Sequence, residues 1–251
     1  MTTKSTAKVK IRLWSKEDIP GLVACHEAVY PDYKSEDLYE ARNYMLQFER
    51  FPEGQYLAEV NGEIVGYATS IIVQLEHDEI YYSYQEITGA GTFTTHNPAG
   101  DTLYGADIGV RPEYRQKGVS GQLYQARKKL LKKFNLKRLV AHGRIPGYKE
   151  FAGRMTAEEY VQQVIKGNIK DQALNAHLKA GYIVKKVLLD YVRDDSSMNY
   201  ATWIVMDNPE YSERKRKISA SPLKKPNRRI RVCAAQYQMR RISTWEEILR
   251  I

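Results

Sequence analysis

Seven consecutive residues, Arg115, Gln116, Lys117, Gly118, Val119, Ser120 and Gly121, carry the strongest chemical signal in the chain. Arg115, Gln116 and Lys117 bring positive charge and hydrogen-bond donors, and the small Gly118, Ser120 and Gly121 let another molecule approach the backbone closely. A helix that begins in such a run presents N–H groups without intrahelical partners at the positive end of its dipole, which is a site for an anion. No Asp or Glu occurs from Arg115 to Phe134. Helix first turns favour acids, so their omission suits a turn whose negative charge comes from a bound phosphate. The same residues also read as an ordinary solvated turn ahead of a surface helix, and spacing alone leaves both readings open. The run lacks the Gly-x-x-x-x-Gly-Lys-Ser/Thr spacing of nucleotide phosphate loops and the Gly-x-Gly-x-x-Gly of dinucleotide folds.

The elements that must position this turn flank it directly. Residues 103–110 are mostly apolar and Pro112 follows, so they read as a buried strand closing at Val110. Gly105 and Gly109 inside it predict a bulge or a close backbone approach. Val119, Leu123, Leu130, Leu131 and Phe134 have helical spacing. Upstream, residues 9–14 alternate as a strand, Ser15 caps a helix reaching about Tyr30, and a second helix is predicted over 36–48. Residues 56–60 and 63–73 are strands joined at Asn61-Gly62, a hairpin signal. Downstream the pattern predicts a strand over 136–145, helices over 156–166 and 171–180, the latter ended by Gly181, and a closing antiparallel pair over 182–191 and 200–206.

Strand end, turn and helix together resemble the acetyl-CoA signature of the GNAT-type N-acetyltransferases, Arg/Gln-x-x-Gly-x-Gly/Ala, carried here by Arg115, Gly118 and Ser120 with Gly121 following. Ile108 to Tyr114 is similar to that family's strand end and Pro-Glu-Tyr lead-in, and Ser120 departs from the signature by one small residue. The resemblance implies an α/β (α+β) fold with a mixed, mostly antiparallel sheet flanked by helices and a splayed central strand pair. In it Ile108 and Val110 would meet the pantetheine arm of acetyl-CoA, and Arg115, Gln116, Lys117, Gly118, Val119, Ser120 and Gly121 its diphosphate. The implied activity is transfer of an acetyl group from acetyl-CoA, as cosubstrate, to a small-molecule or protein amine by direct attack. The alternative is a non-catalytic acyl-CoA-binding module serving a carbon–nitrogen hydrolase. Residues 75–101, rich in Tyr and Thr, read either as a variable surface that meets the acceptor or as a packed flap.

Acyl transfer to an amine needs a deprotonated nucleophile, donors for the oxyanion and a proton for the leaving thiolate. Val110 N–H is the first choice for the oxyanion. Asp107, between Ala106 and Ile108, is the candidate base, or else a structural carboxylate. Tyr104 stands where several family members place a glutamate, and a neutral phenol is a poor base. His177 occupies the place of the family's acid tyrosine, as proton donor or as a surface histidine; His142 reads as a group working through water or, more commonly for a lone strand histidine, as structural. Cys25 and His26 are neighbours with no second pair at ligand spacing, so no metal is expected.

Cys25 and Cys233 lie far apart, and the beginning of the chain reads neither as a signal nor as a membrane span, which predicts a soluble, cytoplasmic protein with reduced thiols. The formal charge of +9 is concentrated at one end: residues 212–251 hold twelve Lys/Arg against three Asp/Glu, and the rest is balanced. Three segments are expected: an acetyltransferase-like domain over 1–211, a disordered basic linker over 212–229, and 230–251. The linker lacks interleaved aromatics, which favours a solvated spacer over a nucleic-acid contact. Residues 230–239, Ile-Arg-Val-Cys-Ala-Ala-Gln-Tyr-Gln-Met, with Ser243 to Glu247, resemble the opening strand and helix of the nitrilase superfamily, which implies an attached amidase domain as partner.

Overall fold

A computed structural model of the 251-residue chain describes residues 8–31, 39–76, 81–216, 218 and 220–224. In chain order the elements are β1 (Lys10–Leu13), α1 (Ile19–Val29), α2 (Ala41–Arg50), β2 (Tyr56–Val60), β3 (Glu63–Val73), α3 (Tyr84–Thr88), β4 (Thr102–Val110), α4 (Val119–Lys133), β5 (Arg138–Arg144), α5 (Ala157–Ile165), α6 (Gln172–Ala180), β6 (Ile183–Leu189) and β7 (Tyr200–Asp207). The strands form one sheet in the order β1-β2-β3-β4-β5-β7-β6. Every neighbouring pair is antiparallel except β4 with β5.

Alternation along the strands divides the core into two faces. Leu103 of β4 meets Leu130 and Leu131 of α4 with Ile72, Leu139 and Ile204 on one face. Tyr104 meets Ile71, Val140, Val205 and the flap residues Tyr82 and Phe93 on the other. Helix α1 covers that second face further along, where Leu22 and Cys25 pack with Tyr67 of β3. Residues 75–76 and 81–101 thus form a packed flap, with α3 inside it and Tyr82, Ile87 and Phe93 fully buried.

Two boundaries differ from expectation. Helix α2 begins at Ala41 with Glu40 as its N-cap, after Tyr39, whose ring stacks on His26 at 5.5 Å between centroids; positions 36–38 of the expected helix lie outside the described residues. The Asn61-Gly62 turn has the expected left-handed angles, φ 52° and 83°. The basic linker does not leave the body at 212. Ser212 exchanges two bonds with the Asn135 side chain, Arg216 reaches Gln74, Ala99 and Asp101, and Leu223 N–H donates to Gln74 C=O at 2.7 Å. The nitrilase-like stretch 230–251 lies outside the described residues. Among the described residues no helix is long and apolar enough to cross a membrane.

Candidate functional site

The sheet opens between its two parallel strands. β4 pairs with β5 only through Thr102, Leu103 and Tyr104, opposite Arg138, Leu139 and Val140, and from Gly105 onward the strands part. A bulge at the parting point sets which way β4 faces. Thr69 stands opposite Asp107 and Ser70 opposite Gly105, so Ala106 is the extra residue. Strict alternation would put Asp107 on the α4 face with Leu103 and Gly105. The bulge turns it to the α1 face, where Tyr30 and Tyr67 donate to its carboxylate, each at 2.7 Å. His26 Nδ1 lies 2.7 Å from the same Tyr67 hydroxyl, forming a chain from Asp107 through Tyr67 to His26. Burial lowers the His26 pKa against the pull of Asp107, which favours a neutral ring.

Beyond the bulge β4 offers backbone to the gap. Arg111 N–H donates to Val65 C=O at 2.9 Å, so by antiparallel alternation Ile108 and Val110 turn their polar groups away from β3. Two of those four groups are already used. Ile108 N–H donates to Asp107 Oδ1 at 2.7 Å, and Val110 C=O accepts from Arg115 Nε at 3.2 Å. Ile108 C=O and Val110 N–H are left on the open edge of β4, on the two residues the resemblance names.

After the single turn Pro112–Tyr114, Gln116 takes φ 61° and Gly118 φ 79° before α4 starts at Val119. Gly118 and Gly121 are exposed, and a Cβ on either would meet nothing within 4 Å, so the space above the helix start is open. The first turn of α4 holds no acid. Val119 is buried and anchors the turn, while Ser120 is half-buried. Arg115 is half-buried and tied to Val110 and Val29 carbonyls, whereas Lys117 stays at the surface over the Tyr114 ring, 5.1 Å from its centroid. This arrangement fits a phosphate held by backbone N–H groups, with Lys117 as the outward cation.

His177 is not a surface residue. It sits on the opposite face from Asp107, between α4 and α6, with Nδ1 2.9 Å from the Tyr124 hydroxyl. Burial and the nearby Arg127 cation push its pKa down to about 3, so at neutral pH the imidazole is uncharged and the expected imidazolium donor is replaced by a neutral Tyr124–His177 pair. Tyr104 is buried and bonds His142 Nδ1 at 2.7 Å; burial holds its phenol well above the ordinary range and His142 down to about 3. Burial also pushes the Cys25 thiol up to about 12. Among the described residues no three His, Cys, Asp or Glu side chains gather to hold a metal.

The model of the Acetyltransferase (GNAT) family matches residues 20–149, from α1 past the helix-start turn and β5. The chain belongs to that family. It is 33% identical over 204 residues to the "Uncharacterized N-acetyltransferase YkwB" of Bacillus subtilis (strain 168), covering 81% of this chain and 90% of that protein. It is 34% identical over 249 residues to the "Probable hydrolase YhcX" of the same organism, covering 98% of this chain but 47% of that protein. The chain thus spans about half the length of that relative. Among solved structures, the GphF GNAT-like decarboxylase in complex with isobutyryl-CoA shares the fold at a TM-score of 0.66 and 18% identity, over 79% of this chain and 98% of that one.

Tyr67 and Arg127 carry no role in the sequence, where His26 stands only as the neighbour of Cys25 and Tyr30 only as a helix end. Arg127 left a signal. It falls four residues after Leu123 on the helix face that also carries Val119 and Leu130, where an apolar residue belongs.

Proposed function

We propose that the protein transfers an acyl group, acetyl in the first instance, from its coenzyme A thioester to an amine by direct attack. The observation that carries this reading is the parting of β4 from β5 beside an acid-free helix start with open space over Gly118 and Gly121. The thioester is the activated acyl donor; the chain's part is to grip, orient and move protons. The N–H groups at the start of α4, with Lys117, would hold the diphosphate. Ile108 C=O and Val110 N–H would align the arm, with Val110 N–H facing the developing oxyanion.

Asp107 is the proposed proton acceptor on the α1 face, where the amine would enter. Tyr30, Tyr67 and Ile108 N–H fix the orientation of its carboxylate. The Tyr124–His177 pair on the other face is the proposed proton source for sulfur. The relative named as an N-acetyltransferase and the isobutyryl-CoA complex of GphF support an acyl-CoA donor. Titration of acetyl-CoA by calorimetry, with thiol release followed over a panel of amines, tests the proposal. Binding with turnover on an amine is the expected result; binding without turnover on any amine favours the module reading, and no binding ends both.

The relative named a probable hydrolase matches along 98% of this chain, through the basic segment and the nitrilase-like stretch. That match supports a partnership with a carbon–nitrogen hydrolase domain. Assay of the protein for amide hydrolysis alongside acyl transfer tests it, and transfer without any hydrolysis would remove it.

A further inference from the structure

The largest fully buried side chain among the described residues is an arginine. Arg127 of α4 is 1% exposed and lies against the bulge, its Nε donating to Ser70 Oγ at 3.1 Å and its Nη2 to the carbonyls of Thr69, at 2.7 Å, and of Asp107. These bonds replace ladder contacts that the extra residue Ala106 disrupts. They need donors, but they do not need a charge. No carboxylate among the described residues pairs with the guanidinium, and a buried unpaired cation is costly unless something negative offsets it.

Nη1 faces Gly105, the first residue past the last β4–β5 pair; a Cβ there would stand 2.9 Å from it. Arg127 lies nine positions beyond Gly118, the N-cap of α4, about 13.5 Å at the helical rise. The cation therefore sits beside the residue at which β4 leaves β5, on the helix whose start carries the phosphate turn. Its field reaches Tyr104 of β4, Tyr124 of α4, His177 of α6 and Tyr182 ahead of β6. None of the four is a carboxylic acid, burial pushing the phenols up and the imidazole down, and the carboxylate of Asp107, whose carbonyl Nη2 binds, is turned to the α1 face by its bonds from Tyr30 and Tyr67.

We propose that Arg127 holds the thiolate that leaves during acyl transfer. The amine nitrogen forms its bond to the thioester carbon, the carbon–sulfur bond breaks with its electron pair on sulfur, and the guanidinium offsets that charge. A proton equivalent to the one lost by the amine then neutralises the sulfur, so amine and acyl thioester become amide and free thiol. Clamping the bulge and stabilising the thiolate are thus two uses of one buried side chain. The proposal rests on the coenzyme A reading above.

The test compares coenzyme A with desulfo-coenzyme A, the same molecule without the thiol, by calorimetry as the pH rises. In the wild type, coenzyme A is expected to gain about tenfold or more in affinity over the desulfo compound between about pH 7 and about pH 9, as a thiolate is preferred. Ultraviolet absorbance of the thiolate should appear at lower pH for the bound than for the free thiol. Arg127→Gln should abolish the gain while retaining binding of the desulfo compound, and Arg127→Lys should keep part of it. A ratio that stays flat with pH in the wild type, or a gain that survives in Arg127→Gln, overturns the proposal. Failure of the desulfo compound to bind the wild type overturns the coenzyme A reading and this proposal with it. Equal, pH-independent binding of the two overturns only the role of Arg127. If Arg127→Gln does not fold, the wild-type ratio still decides.

Discussion

The Asp107 carboxylate accepts the Tyr67 hydroxyl at 2.7 Å, and that hydroxyl in turn lies 2.7 Å from His26 Nδ1. The contact exists because one extra residue in β4 reverses the side on which Asp107 emerges. Asp107→Asn should therefore leave coenzyme A affinity intact, since the groups proposed to hold the cofactor lie on β4's open edge and the α4 start. It should lower turnover by about 100-fold or more, the usual weight of a general base. Calorimetry and thiol-release rates on the same preparation check both halves; wild-type turnover in the variant would remove Asp107 from the mechanism.

Gly118 and Gly121 separate backbone strain from ligand approach. Both face open space, but only Gly118 has positive φ, 79°. Gly118→Ala should cost about 1 kcal/mol of stability from the left-handed backbone alone. Gly121→Ala should instead stabilise the helix by about 0.5 to 1 kcal/mol. Both should weaken coenzyme A binding by bringing a methyl group into the phosphate's space. Thermal unfolding and calorimetry give the two readouts, and unchanged affinity in Gly121→Ala would place the phosphate elsewhere.

Lys117 and Arg115 should behave differently despite equal charge. Lys117→Ala removes an exposed cation and should weaken binding several-fold, most visibly at low salt, with stability held within about 0.5 kcal/mol. Arg115→Ala also frees the Val110 and Val29 carbonyls, so it should lower stability and affinity together. Unfolding curves that shift equally for both variants would count against this division.

Buried His177 ties stability to pH. Its pKa is about 3 when folded against an ordinary 6.5, so below 6.5 the unfolded chain binds a proton that the native protein refuses. The stabilisation is complete above pH 6.5 and shrinks as pH falls towards 3, by about 2 kcal/mol at about pH 5. Urea unfolding of the wild type and His177→Gln across that range should give a shallower dependence in the variant. Parallel curves would mean that His177 is protonated in the native state.

Much of this protein was legible in its residues because the signals were local. The Asn61-Gly62 hairpin, the Gly181 cap and the acid-free helix start behind Gly118 are each set by backbone stereochemistry or dipoles within a few residues. The type of each main element and the GNAT resemblance followed from them. What only the tertiary structure decided depends on parity and on groups distant in the chain. Gly105 and Gly109 announced a bulge but not that Ala106 would be its extra residue, and a shift of one residue decides which face Asp107 serves. Nor does any local pattern bring Tyr30, Tyr67 and His26 to that carboxylate, fold the basic segment back through Arg216, or place Arg127 against the bulge. Those contacts join residues tens of positions apart, and only the closing of the sheet and the docking of its helices brings them within bonding distance.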